Sequence, residues 1–251
     1  MIAVRSCDSG RVARRLLVMF LVGCGRIAFA PTANDASYAS GLDAPVALTW
    51  GLVQTTASTS PTLPIAPSGS HHLIVVAVQL SSGGSVASIS DDANNGNAYA
   101  AIPAARATNP NPPDALELWY AKDSNPGATT ISIAATTPVI AAVAWEVSGI
   151  RTTDPVDTAS TLDAQPATTT PLGPPITTRG PGEFVVSVAI VANGVPGTSA
   201  GNEFTNDYRT KGNGWAHLTD PMAAAGSHQA QWDQTLSGTY CASAAAFQVG
   251  P

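Results

Sequence analysis

One segment of the sequence has the residue spacing of a hydrolase nucleophile. Residues 197–201 read Gly-Thr-Ser-Ala-Gly, the G-x-S-x-G pattern centred on Ser199, and Asp220 and His228 follow in the order of an α/β-hydrolase triad. That chemistry requires a strand, a strained turn and then a helix that supports the oxyanion hole. Residues 202–208 have no helical periodicity, and the set spans too short a stretch for the intervening βα units. We therefore predict a Gly/Ser loop at Ser199 and no catalytic residue.

A second possible chemistry is carbohydrate hydrolysis by a pair of carboxylates. The two members of such a pair must face each other across a cleft at about 5–10 Å. The four glutamates suit the starts or outward faces of strands, and they are Glu117, Glu146, Glu183 and Glu203. The sequence brings no two of them together, so a glycan or ester hydrolase is the alternative and not the prediction.

Metal binding is not predicted at the acidic loop or at the histidines. Residues 91–97 are rich in Asp and Asn but lack the ligand spacing and the distal glutamate of a calcium loop, which favours a hairpin turn. His71 and His72 are adjacent, so on a strand they point to opposite faces. His217 and His228 have no accompanying carboxylate pattern for zinc. We predict no metal and no cofactor.

The best grouping for ligand binding lies on the two sides of the Gly-Asn-Gly turn at residues 212–214. Tyr208, Arg209, Lys211 and Trp215 fall within eight residues of one another. An aromatic ring can cover the apolar face of a sugar while cations meet its oxygens. Trp119 lies on the polar face of its strand and is a fifth candidate. These five residues are the predicted site for a glycan or surface polymer; the alternative is that Trp215 closes one end of the core.

The elements that must position these residues are strands. Apolar residues alternate with polar ones, or run continuously, in short segments: 46–52, 72–80, 116–120, 143–147, 184–190, 230–232 and 241–249. The continuous run at 72–80 is typical of a strand buried on both faces. Turn clusters rich in Gly, Asn and Pro separate the runs, and no window has a sustained helical period. The pattern predicts an all-β fold, an antiparallel β-sandwich from Val46 to Pro251.

The stretch from Thr152 to Thr178 is rich in Pro and Thr. It suits either a linker between two small domains or a long loop that crosses within one. We favour one domain with a crossing loop, because neither flank has enough strands and core to stand comfortably alone.

The N-terminus predicts export. Basic residues precede a short apolar run that ends before Cys24, as in a signal peptide, and the run is too short to span a bilayer. Leu-Val-Gly-Cys resembles a bacterial lipobox, so we predict a signal peptide at 1–23, a lipid on Cys24 and a tether at 24–45. The alternative is ordinary cleavage after Ala30.

Composition excludes several classes of protein. Charged residues make up 11% of the chain, against roughly 25% in an average soluble domain, and the net charge is −6. There is no basic run outside the N-terminus, so no nucleic-acid partner is predicted. Three cysteines are too few for a disulfide framework, and Cys241 in an apolar strand predicts a small core residue.

Several segments together resemble jelly-roll-like β-sandwich modules of bacterial secreted and cell-surface proteins. They read HHLIVVAVQL, LELWYAKDSNPGATTISIA, VAWEVSGIRTTDPVD, GEFVVSVAI and SAAAFQV. The resemblance covers roughly residues 46–251 and implies an extracellular sandwich that acts in binding or adhesion. It implies no catalytic residue.

The sequence therefore predicts an exported, lipid-anchored binding or structural module without catalytic activity, on the outer face of a bacterial membrane or outside the cell. A second alternative to it, beside the hydrolase, is a cell-surface or fibre subunit that associates through its strand edges. A cleft that gathers titratable groups would favour the enzyme, and long unprotected edges would favour the assembling subunit.

Overall fold

The structure is a computed structural model and describes residues 48–111, 113–199 and 202–250. The predicted signal peptide, the tether, Cys24 and the expected start of the domain at Val46 lie outside the described residues.

The described chain consists of short antiparallel strands. Residues 48–150, the N-terminal half, contain β1 Gly51–Ser58, β2 Thr62–Pro64, β3 Leu73–Ser81, β4 Val86–Asp91, β5 Tyr99–Pro110, β6 Pro113–Ala121, β7 Thr130–Ala135 and β8 Val139–Ser148. Residues 151–250, the C-terminal half, contain β9 Val156–Thr168, β10 Ile176–Thr177, β11 Phe184–Val191, β12 Gly197–Thr198, β13 Phe204–Tyr208, a 3₁₀ turn Thr210–Gly212, β14 Gly214–Leu218, β15 Ser227–His228, β16 Trp232–Asp233 and β17 Gly238–Phe247. No α-helix occurs among these residues, and none of them form a helix that could cross a membrane. The predicted all-β, antiparallel class is confirmed.

The strands form two large sheets and three smaller ones. The large sheets have the orders β1-β8-β3-β6-β5 and β13-β14-β11-β17-β9. A three-stranded sheet has the order β2-β7-β4, and β10-β15 and β12-β16 form two-stranded sheets.

The inner strands of both large sheets are buried on both faces. One hydrophobic cluster contains side chains from both of them, including Trp145 of β8 and Trp215 of β14. A second cluster joins the other face of the first sheet to β2, β4 and β7. A third joins the other face of the second sheet to the residues around β10, β15 and β16, with Trp232 fully buried in it. Burial on two faces explains why β3 and β11 are almost continuously apolar.

The two halves have the same strand order. The five strands of the first large sheet, taken in chain order, are matched one for one by the five of the second: β1 by β9, β3 by β11, β5 by β13, β6 by β14 and β8 by β17. The register matches as well, because Val78 pairs with Glu117 and Ala142, and Ala189 pairs with Gly214 and Ala242. The chain therefore contains one folding pattern twice.

The two halves also touch through matching edges. Tyr208 of β13 donates a hydrogen bond to the Thr55 carbonyl of β1 at 2.9 Å. At the opposite edge, the Thr108 backbone N–H of β5 donates to Asp163 Oδ1 of β9 at 2.6 Å. Thus β1 of the N-terminal half meets β13 of the C-terminal half, and β9 of the C-terminal half meets β5 of the N-terminal half.

The prediction of a crossing loop over residues 152–178 is wrong for about half of that stretch. Residues 156–168 form β9, which pairs with β17 along the edge of the second large sheet. Threonine is a β-branched residue that favours strands, and an edge strand tolerates a proline such as Pro166 because one row of its N–H groups needs no partner. Composition alone suggested a linker because this strand is polar and only partly buried.

Candidate functional site

An open groove of about 530 Å³ lies beside the predicted ligand-binding loop in the C-terminal half. Its walls come from β12, β13 and β16. The lining residues are Pro196, Gly197, Thr198, Phe204, Thr205, Asn206, Arg209 and Asp233. Hydroxyl, amide, guanidinium and carboxylate groups dominate this set, so the groove suits a polar ligand.

Asn206 is held in a fixed orientation on one wall of the groove. Its Oδ1 accepts a hydrogen bond from the Trp215 backbone N–H and another from Trp232 Nε1, each at 3.1 Å. Both tryptophans are fully buried, so they anchor the amide from behind. With Oδ1 engaged twice, the amide NH₂ is the group that Asn206 has left to offer.

Arg209 supplies the positive charge of the groove. It follows directly after β13, and its side chain is exposed. Gly197 lies beside it, since a Cβ on that glycine would be 3.8 Å from Arg209 Nη2. Among the described residues, no carboxylate pairs with Arg209 and no group accepts a hydrogen bond from its guanidinium. The guanidinium is therefore available to a ligand.

Asp233 supplies the negative charge. It pairs with Gly197 across the β12–β16 ladder, and its Oδ1 accepts a hydrogen bond from Ser199 Oγ at 2.9 Å. Oδ1 is thus engaged by the protein, whereas Oδ2 accepts no hydrogen bond from the residues that the structure describes and can accept one from a ligand hydroxyl.

The three residues with triad spacing do not come together. Ser199 bonds to Asp233, whereas Asp220 Oδ1 accepts the Met222 backbone N–H at 2.8 Å. His228 Nδ1 lies 2.9 Å from Glu203 Oε2. Within the described ranges, no histidine hydrogen-bonds to Ser199, so the hydroxyl has no imidazole to take its proton.

The five sequence-predicted binding residues separate into different environments. Arg209 lines the groove, and Lys211 is exposed in the 3₁₀ turn without lining it. Trp215 is a core residue with no exposed area, and its Nε1 donates to the Thr210 carbonyl at 3.2 Å. A ring with no exposed face cannot stack on a ligand, which corrects the expectation for Trp215. Trp215 instead belongs to the shared core, the alternative reading.

Tyr208 and Trp119 are partly exposed but engaged. The Tyr208 hydroxyl bonds to Thr55 in the other half of the chain. Trp119 lies in the N-terminal half, and its Nε1 donates to Glu117 Oε2 at 3.0 Å. Neither side chain is part of the groove.

Sequence reasoning missed Asn206 and Asp233 as groove residues. Nothing in the local pattern singles them out, because they become neighbours only when β16 pairs with β12 beside β13. The one usable signal was the G-x-S-x-G motif, whose first two residues, Gly197 and Thr198, line the groove.

The acidic loop at residues 91–97 is fastened by its own hydrogen bonds. Asp91 Oδ2 accepts from Asn97 Nδ2 and from the Tyr99 hydroxyl. Asp92 accepts from the Thr129 hydroxyl and from the backbone N–H groups of Thr129 and Thr130, and these bonds lower its pKa to about 2. The carboxylate oxygens hold one loop to another.

Two buried carboxylates, Glu146 and Asp207, are hydrogen-bonded to neighbouring groups of the protein. Glu146 is 2.6 Å from His72 Nδ1 and accepts the Gly69 N–H at 2.7 Å. Asp207 lies 2.9 Å from His217 Nδ1 and accepts from Trp145 Nε1 at 2.7 Å, which links the two halves. In the part of the chain that the structure describes, no three His, Cys, Asp or Glu side chains are grouped to hold a metal ion.

Comparison with known proteins adds no relative. No protein-family model, no curated protein and no solved structure matches this chain. The groove and its geometry are therefore the basis for assigning a function.

Proposed function

We propose that this chain is an exported, lipid-anchored module that binds a glycan or similar hydroxyl-rich surface polymer and has no catalytic activity. The groove beside Arg209 is the observation that supports this proposal. Its lining offers a hydrogen-bond donor in Arg209, a donor in Asn206 and an acceptor in Asp233, beside the hydrophobic cluster that packs on the second large sheet. Binding sites are commonly built on loops and strand ends of such scaffolds because these positions vary without disturbing the core.

We also propose that the strands of each half form a jelly-roll-like β-sandwich, and that residues 46–251 act as one domain. In a jelly roll a long hairpin is rolled up, so its first strand pairs with its last, its second with the next to last, and so on inwards. The pairs β1–β8, β2–β7 and β3–β6 follow that scheme. The pairs β9–β17, β10–β15 and β11–β14 follow it too once the two-residue strands β12 and β16, which pair with each other, are set aside. The core shared between the large sheets favours a single domain.

The anchoring part of the proposal depends on Cys24. We expect mass spectrometry of the membrane fraction to detect an acylated N-terminal peptide that begins at Cys24. Detection of a free N-terminus at Pro31 would instead support ordinary signal cleavage.

A glycan array tests the binding function. The full-length protein is compared with Thr205→Trp, which places a large side chain in the groove, and with Thr177→Trp. Thr177 is also an exposed strand threonine in the C-terminal half, but it does not line the groove. We expect Thr205→Trp to lose binding and Thr177→Trp to keep it. If both variants bind as the wild type does, or if the wild type binds nothing, the groove is not a glycan site.

The hydrolase alternative is tested on the same glycans. Each bound glycan is incubated with the wild type and with Ser199→Ala, and the products are separated by chromatography. We expect no hydrolysis by either protein. Hydrolysis by the wild type that disappears in Ser199→Ala would overturn the non-catalytic assignment.

A further inference from the structure

The arginine that lines the groove has a counterpart in the N-terminal half. Arg106 pairs with Glu117 across the β5–β6 ladder, and its Nε lies 3.2 Å from Glu117 Oε1. Its Nη2 donates to the carbonyls of Gly83 and Gly84 at 3.2 Å each. The Nε and Nη2 groups of this guanidinium are thus both engaged by the protein.

Arg209 stands at the matching position of the C-terminal half. The β13–β14 ladder ends at the pair Tyr208–Trp215. Arg209 is the next residue after Tyr208, and Gly214 is the residue that precedes Trp215 in β14. Gly214 occupies the place of Glu117, since Ala189 pairs with it as Val78 pairs with Glu117. The carboxylate that neutralises Arg106 is therefore missing beside Arg209.

The turn that faces the arginine differs too. In the N-terminal half the carbonyls of the 83–84 turn accept bonds from Arg106. The corresponding turn is marked by Gly194, whose positive φ is close to that of Gly83. Both turns are held by backbone hydrogen bonds, Gly83 N–H to the Pro113 carbonyl and Val195 N–H to the Gly212 carbonyl. Among the described residues, only the N-terminal turn also accepts bonds from an arginine.

Arg209 differs in this way from the other arginines that the structure describes. Arg106 pairs with Glu117, Arg179 with Asp157, and Arg151 donates to Gln248. Arg209 has neither kind of partner among those residues and faces the groove instead.

We propose that the groove selects ligands that carry a carboxylate, with Arg209 binding the ligand's carboxylate as Arg106 binds that of Glu117. This inference rests on the proposed function and names the ligand class of the same groove. The matching half of the molecule shows which group the position accepts. A guanidinium binds a carboxylate through short, charge-assisted hydrogen bonds, which are stronger than those to neutral hydroxyls.

The surroundings of Arg209 define how that carboxylate arrives. A Cβ at Gly214 would lie 2.3 Å from Trp232 Nε1, so the buried indole fills the space beside this glycine. Arg209 and Gly197 both line the groove, and a ligand can reach the guanidinium from there. Asp233 lines the same groove without pairing with Arg209, and it accepts hydroxyls. The combination fits a sugar acid, whose carboxylate meets Arg209 and whose hydroxyls meet Asp233.

The test uses two probes with the same sugar chain, an oligogalacturonate with free carboxylates and its uncharged methyl ester. Binding of each to the full-length protein is measured by calorimetry for the wild type, Arg209→Gln and Lys211→Gln. Lys211→Gln is the matched control, because it removes one positive charge two residues away from Arg209, and Lys211 does not line the groove. We expect the wild type to bind the free acid at least about tenfold more tightly than the ester, because charge-assisted hydrogen bonds are stronger than those to neutral acceptors. Arg209→Gln should lose that preference and Lys211→Gln should retain it.

The outcomes separate this inference from the proposed function. Equal binding of acid and ester by the wild type, or a preference that survives in Arg209→Gln, overturns the carboxylate selectivity but leaves a glycan site in place. A preference lost equally in Lys211→Gln would show a diffuse charge effect and overturn the role of Arg209. Failure to bind either probe, when the array shows binding of neutral glycans only, overturns the carboxylate inference alone. Failure on the array as well overturns both.

Discussion

Each half of this chain has an arginine near matching positions of the same strand order, Arg106 within β5 and Arg209 directly after β13, and uses it differently. In the N-terminal half Arg106 is bound by the buried carboxylate of Glu117 beside a cavity of about 210 Å³. In the C-terminal half Gly214 replaces the glutamate, Trp232 fills the space beside it, and Arg209 faces a groove of about 530 Å³. A repeated scaffold can thus keep one position structural and free its counterpart for a ligand.

The largest effect in this comparison is expected at Trp232. We predict that Trp232→Ala lowers the free energy of unfolding by about 3–5 kcal/mol, because it empties a fully buried site and unties Asn206. Gly214→Ala should cost about 1–3 kcal/mol in the wild type, since the added Cβ overlaps the indole. In the Trp232→Ala background the same change should cost almost nothing.

Urea unfolding of the two single variants and the double variant measures this coupling. Gly197→Ala is the control, because a Cβ there meets only ordinary contacts. Additive losses in the double variant would show that Trp232 does not fill the place of the missing glutamate.

The next effect separates the two arginines. We predict that Arg106→Ala costs about 1–3 kcal/mol, because it leaves the buried Glu117 without its cationic partner. Arg209→Ala should change stability by less than about 0.5 kcal/mol, since Arg209 has no partner among the described residues to lose. Thermal unfolding of both variants under one set of conditions provides the comparison, and equal losses would contradict the difference between the halves.

Glu183 of the C-terminal half gives a pH-dependent prediction. Burial raises the pKa of this carboxyl, the Gly180 N–H partly opposes that, and the nearby Asp157 adds to it. The folded protein therefore holds the proton more tightly than the unfolded chain, whose glutamate has the ordinary pKa of 4.5. The unfolding free energy should accordingly fall as the pH rises from about 4.5 through the folded pKa.

We expect Glu183→Gln to flatten that part of the pH profile and to raise stability at neutral pH by up to about 1 kcal/mol. Asp114→Asn tests the N-terminal half in the same way, because burial raises the pKa of Asp114 too. Denaturant unfolding at several pH values measures both slopes. A steeper profile in Glu183→Gln would mean that the carboxylate stabilises the fold.

The smallest effect concerns Cys241 in the shared core. Burial raises its pKa to about 12, so the thiol stays protonated and covered. We expect reaction with a thiol reagent only as fast as the chain unfolds, with the rate following added urea. Prompt labelling of the native protein would show that the core opens locally.

Sequence patterns predicted the strands better than they predicted the site. Alternation and β-branched runs identified β3, β8, β11 and β17 because burial repeats with the period of the pleat. They failed at residues 156–168, where an edge strand is built from polar β-branched residues and looks like a linker. Sequence alone also did not show that the two halves repeat one strand order, because different side chains fill matching positions.

The site was predicted only at Arg209. The sequence suggested Trp215 as its aromatic partner. Alternation of polar and apolar residues does not reveal which face of a strand meets solvent when both faces of the sheet are covered. In β14 neither face is exposed. Asn206 and Asp233 depend on pairing between strands far apart in the chain, which local patterns do not encode.

The most direct test of the account follows the two arginines separately during binding. Nitrogen–proton NMR signals of the guanidinium Nε groups, assigned with Arg106→Lys and Arg209→Lys, are recorded while oligogalacturonate is added. We predict that the Arg209 signal shifts and saturates with the ligand, while the Arg106 signal, already bound to Glu117, stays in place. A shift of Arg106 alone, or of neither arginine, would contradict the claim that the C-terminal half has freed this position for a ligand.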